Sequence, residues 1–269
     1  MIKKIIPFCF AFVILGFFTP IAQARIDIVP QKLVIGNRER NADMTVLNLQ
    51  DIAGTFRIEL VNFTQDENGV YQEIKTPLNA NFDPAEFVRF SPRQFTLEAG
   101  DRQKIRISLR RPSDLPEGEY RFHIKATRLV ENDERRLDNT DSVSVISNIG
   151  VTIPVVIRHG DTNATAKISN ISLRRAPDTK TERPELDLTI DRMGTESTLG
   201  MIEVLLKEEN SSKEKRIGYI KNINVFTDIE KRNITIPLSE DLQGKGTLHV
   251  RYIDSIHRGK IFDETELQF

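Results

Sequence analysis

The chain has 269 residues, 38 Lys and Arg against 39 Asp and Glu for a formal charge of −1, one cysteine and no tryptophan. Charges of both signs are mixed along it, which excludes the clustered basic footprint of a nucleic-acid-binding domain. The length suits one or two domains, each large enough to close its own core.

The first segment, "MIKKIIPFCFAFVILGFFTPIAQA", has Lys3 and Lys4, then an apolar run from Ile5 to Phe18, then Ala22-Gln23-Ala24. That order predicts a secretory signal peptide over 1–24, cut before Arg25; it is too short and wrongly flanked for a membrane span. Cys9 lies inside it, so the exported chain is expected to be cysteine-free, which fits a bacterial periplasm or surface. No later segment is apolar for long enough to cross a membrane as a helix.

Short stretches of period-2 alternation follow, bounded by turn residues. They are "RIDIVPQKLVI", "ADMTVLNL", "TFRIELVNF", "VYQEI", "EFVRFSPRQFTL", "QKIRISL" and "YRFHIKATRL". Asn68-Gly69 ahead of "VYQEI" is a two-residue hairpin signal. Then comes "SVSVISNIGVTIPVVIR", residues 142 to 158, in which every odd position from Val143 to Ile157 is Val or Ile except Ser147. An ordinary strand has only about five or six residues, so this apolar face is too long for one sandwich wall. "HGDTN", 159–163, is a polar joint, and further alternating segments run from "TAKISNISLRR" to "IFDETELQF". The predicted fold is all-β, two immunoglobulin-like β-sandwich domains in tandem, 25–158 and 164–269.

Catalytic signatures are missing: there is no HExxH, GxSxG, P-loop or GxGxxG. His123, His159, His249 and His257 are scattered without metal-ligand spacing, so no metal and no cofactor is expected. The carboxylates are many, but sequence gives no pair a privileged environment. An enzyme is not expected.

Residues 87–129, with Ser91-Pro92-Arg93, the turn Leu97-Glu98-Ala99-Gly100, Arg111-Pro112 and Leu115-Pro116-Glu117-Gly118-Glu119-Tyr120, resemble the PapD-like periplasmic pilus-assembly chaperones. The resemblance covers the first domain and implies two sandwiches set in an L. It further implies that the last strand of the first domain caps a fimbrial or related surface subunit by lending it apolar side chains. Strand addition of this kind draws affinity from backbone hydrogen bonds and register from alternate side chains. Val143, Val145, Ile149 and Val151 are the implied donated face.

In that family two basic residues anchor the subunit's C-terminal carboxylate. Lys32 matches the first; the second falls on Pro154, which carries no charge. Arg158 and Glu119 match an interdomain ion pair. Tyr120 stands where immunoglobulin-like sandwiches place a tyrosine corner, with its hydroxyl tied to a turn backbone.

The partners implied are a pilus or related surface subunit and an outer-membrane usher, with self-association through the edge strand also open. Two other readings remain. One is an exported structural or adhesive protein of tandem sandwiches. The other is an outer-membrane barrel ending at Phe269, disfavoured by Asp263 on the would-be lipid face and by four Tyr with no Trp.

Overall fold

The computed structural model describes residues 26–79, 82–129, 148–174, 183–209, 211–257 and 259–269. The first part of the chain forms β1 (Ile26–Val29), β2 (Leu33–Ile35), β3 (Asn41–Asn48), β4 (Gly54–Gln65), β5 (Tyr71–Ile74), a short helix α1 (Pro84–Phe87), β6 (Val88–Ser91), β7 (Gln94–Leu97), β8 (Arg102–Leu109), β9 (Gly118–Leu129) and β10 (Gly150–His159). The second part forms β11 (Ala164–Arg174), β12 (Glu185–Gly194), β13 (Thr198–Glu208), β14 (Glu214–Val225), β15 (Lys231–Pro237), β16 (Gly246–Asp254) and β17 (Ile261–Gln268).

The architecture is all-β, as the alternation predicts: two sandwiches in tandem. In the first, the sheet β1-β3-β8-β6 packs on β2-β10-β9-β4-β5, with β7 also paired to β4. In the second, β11-β12-β15 packs on β14-β13-β16-β17. Period 2 decides which residues turn inward. On β3 and β8 Met44 lies across from Ile105, and these two with Val46 and Ile107 are buried, while Asp43, Lys104 and Arg106 stay in water. Each such fully buried aliphatic side chain contributes about 1.5–3 kcal/mol.

Three segments depart from the sequence expectation. The stretch "RIDIVPQKLVI" is two strands in different sheets: β1 pairs antiparallel with β3, and β2 pairs parallel with β10. Pro30 between them has no N–H with which to continue a ladder. "EFVRFSPRQFTL" opens with α1, whose N-terminus is capped by the Asp83 carboxylate accepting from Ala85 N at 2.9 Å. The Asn68-Gly69 hairpin has a longer connection than two residues. Asp66 organises it, its carboxylate accepting from Asn68 N at 2.9 Å and from Val70 N at 2.8 Å, and Gly69 takes φ +80°.

Tyr120 is buried, and its hydroxyl donates to Pro116 O at 2.8 Å. In the joint, Gly160 has φ +77°, and a Cβ there would overlap the Glu117 side chain, so only glycine fits. Between the two cores lies a small apolar cluster of Val156, Leu199 and Phe226 with Val34 packed on it.

Candidate functional site

β10 pairs antiparallel with β9 along its whole length, from Gly150 opposite Thr127 to His159 opposite Gly118, and the register runs unbroken through Gly150 and Pro154. On its other side β2 pairs only Val155 to Ile157. From Gly150 to Pro154 that second edge has no ladder partner among the described residues. Pro154, which has no N–H to give, is compatible with such a half-open edge.

A cleft of about 560 Å³ follows this edge and runs inward to the junction of the sandwiches. One wall is the chain at Asp27, Ile28 and Gln31, the floor is residues 150–154 with Phe63, Tyr71 and His123, and the inner end is Asn222, Asn224 and Arg232 of the second sandwich.

The residues expected to bind a partner fall as follows. Val143 and Val145 lie outside the described residues. Ile149 precedes β10 and is 43% exposed, its carbonyl accepting from Arg128 N at 3.1 Å. Val151 is half-buried against the first core, on the same side as the buried Ile153, Val155 and Ile157. Thr152 and Pro154 alternate with these, followed by Val156, which meets the second sandwich.

Lys32 spans the junction: Nζ donates to Ser255 Oγ at 2.8 Å and to Asn224 Oδ1 at 3.4 Å. Burial lowers its pKa to about 8, against the opposing attraction of Asp254. Pro154 supplies no second cation, but Arg232 approaches the same place, donating through Nη1 to Asn224 O at 2.8 Å.

Glu119 and Arg158 are brought together as cross-strand partners of β9 and β10, 3.4 Å apart. Both also hold the second sandwich. Glu119 accepts from Ser197 N at 2.9 Å and from Ser197 Oγ, and Arg158 donates to Ser197 O at 3.1 Å and pairs with Glu196 at 3.1 Å. Burial pushes the Glu119 carboxyl up, and these donors pull it back in part.

The larger part of the junction was not legible in the sequence. Arg121 donates to Asp228 through both terminal nitrogens, at 3.0 and 2.9 Å, and its guanidinium lies 3.8 Å from the centroid of the Phe226 ring. His123 is buried beside it, edge-on to Phe63 and Tyr71 at 5.1 and 5.9 Å, and burial together with Arg121 lowers its pKa to about 3. "YRFHIKATRL" reads as a strand with one polar face; the second sandwich covers it at Arg121, and β4 and β5 cover it at His123 and Lys125. The only local sign was the presence of Arg, His and Lys on alternate positions, which equally describes a solvated surface. Among the described residues, no three His, Cys, Asp or Glu are placed to hold a metal ion.

No protein-family model matches the chain, and no curated protein matches it. Among solved structures it is similar to a chain of a chaperone–tip adhesin complex of CFA/I fimbriae biogenesis, 12% identical, covering 91% of this chain and 98% of that one with a TM-score of 0.45. It is also similar to the class 5 fimbriae chaperone CfaA, 13% identical over 91% and 98% with a TM-score of 0.45. The E. coli chaperone DraB aligns at 13% identity over 91% and 98% with a TM-score of 0.40. Identities and scores at this level mark a distant likeness.

Proposed function

We propose that this protein is a periplasmic chaperone that caps a fimbrial or related surface subunit by strand addition along β10 and passes it to an outer-membrane usher. The observation that carries the reading is the edge of β10 from Gly150 to Pro154, which has no second ladder partner among the described residues, with a cleft running beside it to Arg232. An unpaired row of backbone donors and acceptors is a template for another strand. Val143, Val145 and Ile149 are the side chains offered to the subunit, with Val151, half-buried against the first core, next in the sequence pattern.

Lys32 and Arg232, which both bond to Asn224, are the pair suited to hold the partner's terminal carboxylate. Glu119 and Arg158 keep the two walls of the cleft in register. The likeness of residues 87–129 to the PapD-like family supports the same reading.

The test is a pull-down from native periplasm with wild type and a Val145→Asn/Ile149→Asn double variant shown folded by circular dichroism. The expected result is one small β-rich partner retained by wild type and lost by the variant. Retention by neither, or equal retention by both, overturns strand donation and leaves the structural or adhesive reading.

A further inference from the structure

The connection between β4 and β5 reaches from the first sandwich onto the second. Gln65 N donates to Asp228 Oδ2 at 2.9 Å, and Asn233 N donates to Glu67 O at 2.6 Å. Lys231 Nζ stands 3.5 Å from Glu67, and the Tyr71 ring meets Phe226 edge-on at 6.2 Å. Tyr71 also forms part of the cleft floor, against His123.

In and against this hairpin are buried polar side-chain atoms with no hydrogen-bond partner among the described residues. They are both ring nitrogens of His123, both amide atoms of Gln65, and Nε of Arg232. His123 is 2% and Gln65 3% exposed. Unpaired burial of such groups opposes the closed arrangement, whereas the contacts to Asp228, Asn233 and Phe226 favour it. Lys125 Nζ stands 3.8 Å from Glu73, and the Tyr71 ring meets Phe63 edge-on at 6.4 Å. β5 has four residues, pairs only with β4, and exposes three of them, Tyr71 included.

We infer that the hairpin of residues 65–74 is a latch between two states. Closed, it ties the second sandwich to the first and holds Tyr71 in the floor of the cleft. Open, it returns Gln65 and His123 to water and widens the cleft. Opposed terms of this kind leave the closed arrangement only marginally favoured, so that an open one is populated beside it. The latch is a property of the chain alone, so its test needs no partner and its failure leaves strand donation untouched.

Residue-resolved amide hydrogen exchange by NMR, on the chain purified after export, reads the latch directly. The amides of Gln65 and Asn233 should exchange at least tenfold faster than the ladder amides of β9 and β12. His123→Leu removes the unpaired imidazole and should slow both about tenfold, and Asp228→Ala should speed both. Unchanged ladder amides in His123→Leu report that the sandwiches are intact. Should His123→Leu unfold, Gln65→Leu makes the same test at the second unpaired group. Latch amides as slow as the ladders, or exchange indifferent to both leucine variants, overturns the inference and makes the hairpin a fixed wall.

Discussion

Lys32 is an ammonium held among neutral partners, Ser255 and Asn224, with most of its surface taken from water. Its folded pKa of about 8 lies below the ordinary 10.5. Between those values the unfolded chain binds the proton more tightly than the folded one, so stability rises with pH across that window. Below pH 8 both states are protonated, and folding carries the cost of the buried charge. Lys32→Met, similar in length and apolar, should therefore remove the rise. Urea midpoints of wild type and variant, followed from pH 7.5 to 10.5, check this; parallel curves would mean that Lys32 is effectively solvated. Its position could be read from the sequence through family likeness, but its desolvation could not. That depends on Asn224 and Ser255, some 190 and more residues along the chain. The same distance hides Arg121 from Asp228, since either alone looks like one of many surface charges.

At the level of the strand, β10 shows what alternation reveals and what it omits. The odd positions Val151 to Ile157 face one side, as the period demands, and the continuous register with β9 fixes that side as the first core. The pattern alone does not say where the sandwich stops and the offered edge begins, because Ile149 and Ile153 are the same residue type in the same phase. Burial separates them: Ile153 is 2% and Ile149 43% exposed. Ile153→Ala should cost about 2–5 kcal/mol, the range for truncating a buried aliphatic side chain. Ile149→Asn should stay within about 0.5 kcal/mol of wild type, as surface substitutions do. Urea denaturation of the two variants decides it, and a comparable loss in both would place Ile149 in the core and withdraw it from partner binding. The helix α1 escaped the sequence for another reason, since four residues give less than two turns in which a 3.6-residue period could appear.

For the whole molecule, the question is whether two sandwiches unfold as one. Most interdomain interfaces are modest and permit motion. Here the junction contains an apolar cluster, Val34, Val156, Leu199 and Phe226, with the Arg121 guanidinium laid over Phe226 and paired twice to Asp228. The Arg121 side chain is 2% exposed and that of Asp228 18%, so water screens the pair poorly. Removing one partner of such a pair costs about 3–5 kcal/mol, because the remaining charge stays buried without compensation. Asp228 also accepts from Gln65 N, so its loss frees the β4–β5 hairpin at the same time. Asp228 contributes nothing to either sandwich core, and the penalty falls on their coupling. Calorimetry of wild type should show one cooperative transition, and Asp228→Ala should divide it into two, one for each sandwich, with the cleft walls moving independently between them. A single transition in the variant, merely lowered in temperature, would locate the coupling in the apolar cluster and in the Glu119–Arg158–Ser197 contacts instead.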